Sequence, residues 1–175
     1  MATTKVVTSK VRFSYVQVFE PAAMEEGMDK KYSVSLIIPK TDKALIKRIE
    51  DAIALALEEG KAKFGGKLPK VFKNPLRDGD IDREDHEEYA GCMFVNANSN
   101  RKPGLVDADL NPIIDPDEFY SGCYGRASIN FYAFNVAGNK GVAAGLNNLQ
   151  KLEDGEPLGG SIASAEADFG DDDLM

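Results

Sequence analysis

The strongest constraint on the fold is the segment from Tyr124 to Asn135, in which small or apolar side chains occupy every second position. A β-strand places alternate side chains on opposite faces, so this segment has two different surfaces. Gly125, Ala127, Ile129, Phe131 and Ala133 form the first face, and Tyr124, Arg126, Ser128, Asn130, Tyr132 and Phe134 form the second. The pattern predicts a strand with one face in a core.

The second face of this strand suits contact with unstacked bases. Aromatic rings stack on bases with about 1–3 kcal/mol per base, and an arginine neutralises phosphate or lies on a ring. The candidate nucleic-acid contacts are Tyr124, Arg126, Tyr132 and Phe134. In the alternative interpretation, the two later rings pack under a loop and the arginine pairs with a carboxylate.

The first strand is predicted over residues 6–19, with an irregularity in its middle. Val11, Phe13 and Tyr15 share one face and Lys10, Arg12 and Ser14 share the other, but Val16 and Val18 then fall on the polar side. A bulge near residues 15–17 would explain that change.

The remaining elements predict a small barrel. Strands are expected at 32–38 and 91–98, and an amphipathic helix that begins at Thr41 or Asp42 lies between them. Asn139-Lys-Gly141 is expected to be the turn of a hairpin formed by the central strand and its return strand. About five antiparallel strands with one inserted α-helix fit a mainly β, five-stranded Greek-key barrel.

Two loops add basic residues that could contact a nucleic-acid backbone. Lys70, Lys73 and Arg77 surround Phe72, and Arg101 with Lys102 lies in a polar turn. Basic residues around an aromatic ring favour phosphate neutralisation with stacking, although an ordinary surface loop would have the same composition.

The charge distribution divides the chain into two parts. The net charge is −8, but residues 153–175 contain eight acidic residues and no Lys or Arg, so residues 1–152 are formally neutral. We expect one folded domain at 1–152 and a disordered acidic tail at 153–175, because the tail has too few apolar residues to fold alone.

Enzyme chemistry has little support in the sequence. His86 is the single histidine, and Cys92 and Cys123 lack zinc-site spacing, so they are expected to be reduced thiols. A metal-dependent nuclease site at Asp78, Asp80, Asp82 and Glu84 is the enzymatic alternative. We predict no cofactor, no metal and no membrane span, and a cytosolic protein.

Several long segments, in the same order, resemble the bacteriophage single-stranded-DNA-binding proteins that have an OB fold and an acidic C-terminal tail. They are residues 10–15, 19–21, 31–40, 76–80, 120–133, 141–151 and 154–160. The resemblance covers nearly the whole chain. It implies sequence-independent binding of single-stranded DNA in phage DNA replication, recombination and repair, in the cytoplasm of the infected bacterial host.

The resemblance also implies roles for further residues. Arg12 and Lys31 join the phosphate-binding candidates, and the tail would recruit replication or recombination proteins and compete with DNA for the groove. The candidate partner-binding residues are Asp168, Phe169, Asp171, Asp172, Asp173 and Leu174. A homodimer is left open. The alternative function is an acidic protein-interaction factor or DNA mimic acting on host enzymes, which the neutral body disfavours.

Overall fold

The chain folds as a mainly β structure with one long helix. The computed structural model describes residues 3–23 and 29–158, and within them it contains eight strands and two helices. In chain order they are β1 (Lys5–Val7), β2 (Val11–Ala22), β3 (Lys31–Pro39), α1 (Lys43–Glu59), β4 (Leu76–Asp78), α2 (Gly79–Asp82), β5 (Cys92–Ser99), β6 (Gly104–Val106), β7 (Tyr124–Val136) and β8 (Asn139–Glu153).

Five of these strands close into a barrel. Their order is β2, β3, β5, β8 and β7, and β7 pairs again with β2. A five-stranded Greek-key barrel of this kind is the OB architecture, so the predicted fold class is confirmed. One closing pair, β5 with β8, is parallel, with Ala97 opposite Ala144. The three-residue strands β1, β4 and β6 lengthen the sheet at its margins.

Successive side chains of β7 point alternately into the barrel and toward its outer surface. Ile129 and Phe131 are 0% and 1% exposed, and they share one core with Phe13 from β2. Cys123 is buried as a free thiol, and Cys92 is also free. The prediction of a core-facing side on β7 is confirmed, and its other side chains lie on the outer surface of the barrel.

The predicted helix is α1, and its N-cap is Asp42, three residues after the end of strand β3. The Asp42 carboxylate accepts a hydrogen bond from the Leu45 backbone N–H at 3.2 Å, which is the usual N-cap contact. Leu45, Ile49 and Ile53 are buried, and the helix packs on β7, β8 and β1. No helix among the described residues is long and apolar enough to cross a membrane.

The irregularity predicted in β2 is present, and it changes the side of the strand on which Tyr15 lies. The register between β2 and β3 shifts between Ser14 and Gln17, and Tyr15 has a φ of 48°. Val11 and Phe13 are buried, whereas the Tyr15 side chain is 50% exposed. The left-handed backbone at this bulge directs the ring to the outer surface.

The hairpin between β7 and β8 turns two residues earlier than predicted. Val136 pairs with Asn139, so the turn consists of Ala137 and Gly138, whose φ values are 51° and 86°. Two positive φ values give the tight turn that matches the twist of the flanking strands. The prediction of a turn at 139–141 is wrong.

Residues 154–158, which we call the C-terminal strap, follow β8 and bind the barrel. The Tyr120 hydroxyl donates to the Gly155 carbonyl at 2.9 Å and accepts from the Gly155 N–H at 3.1 Å. The Leu158 N–H donates to the Ser121 carbonyl at 2.9 Å. Residues 159–175, including Asp168, Phe169, Asp171, Asp172, Asp173 and Leu174, lie outside the described residues, and the division of the chain at residue 152 stays a prediction.

Candidate nucleic-acid interface

A cavity of about 410 Å³ opens on the outer face of strands β2, β3 and β5. We call it the outer groove. Ligand-binding clefts commonly have volumes of this order. Its lining includes Tyr15, Gln17, Ala22, Ala23, Ser33, Ser35, Arg83, Asn96 and Asn98. Polar side chains of β2, β3 and β5 are therefore exposed to solvent in the groove, between apolar surfaces of the same lining.

Strand pairing aligns the polar side chains of the floor in a row. Gln17 is opposite Ser33, and Ser33 is opposite Asn98. The row continues across the parallel pair, because Asn98 is opposite Gly145 and Gly145 is opposite Asn130. Neighbouring strands lie about 4.8 Å apart, so the row of five residues spans about 19 Å of the outer surface.

Tyr15 stands at one wall of the outer groove. Its ring packs edge-on against His86, with ring centroids 6.3 Å apart. Half of its side chain stays exposed, so one ring surface is accessible to a ligand. An accessible aromatic ring beside polar side chains is suited to stacking on a base.

Arg83 lies beside Tyr15 in the same groove and rests on buried aromatic rings. Its guanidinium carbon is 5.0 Å from the centre of the Phe94 ring and 6.0 Å from that of Tyr89. Its buried Nε has no hydrogen-bond partner among the described residues. The Tyr89 hydroxyl donates to Ser35 Oγ at 2.9 Å, and burial raises the pKa of Tyr89, so the support under the arginine stays neutral.

Arg77, one of the predicted contacts, lies near the same aromatic support. Its guanidinium carbon is 5.3 Å from the centre of the Phe94 ring, and its Nε lies 3.1 Å from a carboxylate oxygen of Asp82. The structure thus places two arginines at one aromatic ring, with one of them already paired with a carboxylate.

Three other predicted cations lie on or next to strands β3 and β5, beyond the residues that line the groove. Lys31 begins β3, and the next residue on that strand pairs with Ser99 of β5. Arg101 lies two residues after Ser99, and its backbone N–H donates a hydrogen bond to the Ser99 hydroxyl at 3.0 Å. The ammonium group of Lys102 lies 5.6 Å from the centre of the Phe19 ring. Within residues 3–23 and 29–158, these three cations form no salt bridge.

Two predicted aromatic contacts lie at the other end of the outer surface, near the β7–β8 turn. Tyr132 is 42% exposed, and a Cβ atom built on Gly145 would lie 3.7 Å from its ring. Tyr132 therefore borders the polar row that begins in the outer groove. Phe134 contacts Gly141, which also pairs with Lys73, so this ring is packed beneath the preceding loop.

The remaining predicted contacts are not part of the outer groove. Lys70 is exposed on the loop, whereas Phe72 packs against the main core. The Arg126 Nε donates to the Thr8 carbonyl at 2.8 Å, on the part of β7 that lies next to β1. The ring of Tyr124 is covered by Lys10 and Arg12.

Arg12 is engaged by the C-terminal strap. Its Nε donates to the Gly122 carbonyl at 3.1 Å, and an Nη atom donates to the Glu156 carbonyl at 2.8 Å. Its guanidinium carbon also lies 5.3 Å from the centre of the Tyr124 ring. These contacts connect β2, β7 and the strap at one residue.

Three of the four carboxylates considered for a nuclease site, those of Asp78, Asp80 and Asp82, bind basic side chains of the chain. Lys40 Nζ lies 2.9 Å from Asp78 and 2.7 Å from Asp80, and the hydrogen bond from Lys40 lowers the pKa of Asp80. Asp82 pairs with Arg77. In the part of the chain that the structure describes, no three His, Cys, Asp or Glu side chains are grouped to hold a metal.

Sequence reasoning missed the residues that form the floor of the groove. Gln17, Asn96 and Asn98 point outward from their strands, and Arg83 reaches the same cavity from the segment after α2. In β5 the signal was available, since polar Asn96 and Asn98 alternate with buried Val95 and Ala97. No comparable signal identified Arg83, whose place depends on the aromatic rings below it.

Comparison with known proteins gives consistent matches over nearly the whole chain. A family model described as Enterobacter phage Enc34, ssDNA-binding protein, matches residues 4–175. A protein designated p50 from Acyrthosiphon pisum secondary endosymbiont phage 1 is 33% identical over 173 residues, which cover 93% of this chain and 91% of that protein.

Solved structures show the same architecture. The single-stranded-DNA-binding protein of bacteriophage Enc34, solved in complex with ssDNA, matches with a TM-score of 0.80 and 28% identity, over 89% of this chain and 90% of that one. The single-stranded-DNA-binding protein gp2.5 of bacteriophage T7 matches with a TM-score of 0.60 and 16% identity, over 94% and 99% of the two chains. The second likeness is one of fold.

Proposed function

The chain belongs to the family of the Enterobacter phage Enc34 single-stranded-DNA-binding protein, and we propose that it binds single-stranded DNA without preference for base sequence. The family consists of DNA-binding proteins and not of enzymes. The observation that supports the proposal best is the outer groove, whose floor carries polar side chains. Lys31, Arg101 and Lys102 lie on or next to its strands and form no salt bridge within residues 3–23 and 29–158.

In this proposal the strand lies across the outer face of β2, β3 and β5. Bases stack on Tyr15 at one wall and on Tyr132 further along the polar row, because both rings are about half exposed. Phosphates lie near Lys31, Arg101 and Lys102, which form no salt bridge within the described part of the chain.

Membership of this family also supports a proposal for the wider biological role. The protein would act in replication, recombination and repair of phage DNA, in the cytoplasm of the infected host. The acidic tail would recruit replication or recombination proteins and compete with DNA for the outer groove. The strap supports this path, because Leu158 packs against the Ile37, Tyr89 and Phe94 cluster over which Arg83 lies. The tail thus leaves the described part of the chain near the groove.

Fluorescence anisotropy with a labelled oligo-dT strand and a matched duplex tests the proposal. We expect single-strand binding that weakens steeply with salt, because bound phosphates release counterions. Replacing Lys31 or Arg101 with Ala should weaken binding and reduce the slope of log affinity against log salt by about 0.7, the value for one single-strand phosphate contact.

Lys43→Ala is the matched control for these variants. Lys43 is exposed at the start of α1. Lys31 is at the first residue of β3, and Lys43 follows the last one, so the two lysines lie at opposite ends of that strand. The Lys43→Ala variant also loses one positive charge. We expect its salt slope to match that of the wild type. If all three variants lose affinity equally, net charge rather than the groove determines binding; no binding of oligo-dT by the wild type would refute the function.

A further inference from the structure

The outer groove has an unusual balance of side chains for a surface that binds by stacking. Its lining contains one aromatic side chain, Tyr15, and three carboxamides, Gln17, Asn96 and Asn98. Within residues 3–23 and 29–158, none of these three carboxamides makes a side-chain hydrogen bond. Their donors and acceptors are therefore available to a ligand.

Carboxamides have the chemistry to bind base edges without choosing among bases. Each presents a carbonyl acceptor next to an NH2 donor. The Watson–Crick edge of every unpaired base also presents donors and acceptors side by side, and proteins bind single strands at these edges. Rotation of the amide by half a turn exchanges its donor and acceptor, so one side chain can serve different bases.

The arrangement of the carboxamides matches a strand laid over the sheet. Asn96 and Asn98 are two residues apart on the outer face of β5, which separates them by about 6.6 Å. Gln17 lies two strands away from Asn98, in the same row of paired residues. The three groups thus spread across the floor, while the cations Lys31 and Arg101 lie at its end.

We propose that the outer groove binds single-stranded DNA edge-on, with base edges hydrogen-bonded to Gln17, Asn96 and Asn98 and with the phosphates directed away from the floor. Base-edge contact then adds to the affinity that stacking and phosphate contacts provide. Arg83 adds a positive charge at the same groove, because it belongs to the lining and its guanidinium is held on Phe94. This inference rests on the proposed function.

A strand with a blocked base edge tests the inference on the unaltered protein. Oligo-dT made of N3-methylthymidine keeps the phosphates and the ring face but loses the donor at N3. We expect its affinity to be lower than that of oligo-dT by about fivefold or more, the equivalent of one or more net hydrogen bonds. Equal affinity for the two strands would overturn the inference, whereas failure of oligo-dT itself to bind would refute the proposed function.

Variants of the floor provide the second arm. Asn98→Leu keeps nearly the same size and charge but removes the amide, and we expect about fivefold weaker binding of oligo-dT. Its salt slope and its affinity for an abasic strand should stay at the wild-type values, because phosphate contacts are unchanged. Asn111→Leu, on an exposed loop outside the groove, is the matched control. A parallel loss on oligo-dT and on the abasic strand would contradict base-edge binding.

Discussion

At the scale of the residue, Arg12 could bind phosphate or stabilise the fold. Its contacts in the structure favour the second role. Its guanidinium donates to the carbonyls of Gly122 and Glu156 and lies over the Tyr124 ring. We expect Arg12→Ala to lower the free energy of unfolding by about 2 kcal/mol, because hydrogen bonds from a charged donor are lost. Urea unfolding measures this change, and the salt slope of DNA binding should not move.

Lys10→Ala is the control for Arg12, since Lys10 lies over the same Tyr124 ring and carries the same charge. Its partner Glu153 is about half exposed, so we expect a loss below about 1 kcal/mol. If Arg12→Ala unfolds like the wild type but binds DNA with a reduced salt slope, the arginine is a phosphate contact, as the sequence predicts.

At the scale of the element, the β7–β8 turn contains a strained residue. Ala137 has a φ of 51°, a conformation that favours Gly and Asn. We expect Ala137→Asn to raise the free energy of unfolding by about 0.5–1 kcal/mol in urea unfolding, because the penalty for Ala is relieved. Ala137→Val should lower it, since a β-branched side chain fits this conformation worse. The opposite order would place the turn elsewhere.

Local sequence signals were insufficient to predict the position of this turn. Asn139-Lys-Gly141 has the composition of a turn, but a three-residue loop there would place Ala133 opposite Asn147. In the observed register, Ala133 pairs with Val142, Phe131 with Ala144 and Ile129 with Leu146, so buried residues meet buried residues. A register is selected by the side that must be buried, and this selection overrides turn propensity.

In the outer groove too, the pattern within one strand was predictable, whereas the pairing between strands was not. Alternation within one strand predicts which side chains point outward, and it correctly predicted the two faces of β7. It does not predict which strands become neighbours, so the row of Gln17, Ser33 and Asn98 required the pairing of β2, β3 and β5. The bulge at Tyr15, which the pattern of β2 predicted, interrupts the alternation and exposes the ring.

At the scale of the whole molecule, the acidic tail is expected to oppose DNA binding through its charge. A chain that ends at Leu158 keeps the complete C-terminal strap but loses five acidic residues, so the net charge changes from −8 to −3. Ending the chain at Gly155 instead would remove Glu156, whose carbonyl accepts from Arg12, and so would disturb the barrel. The end at Leu158 therefore separates the effect of the tail from that of the strap.

We expect the chain ending at Leu158 to bind oligo-dT more tightly than the full-length protein at low salt, and the difference to shrink as salt screens the tail. Anisotropy titrations at several salt concentrations measure both effects. A full-length variant with Glu166 changed to Gln and Asp168, Asp171, Asp172 and Asp173 changed to Asn has the same length without the charge, and it should bind like the shortened chain. If it binds like the wild type while the shortened chain binds more tightly, the tail excludes DNA by its bulk, and its carboxylates do not occupy the groove.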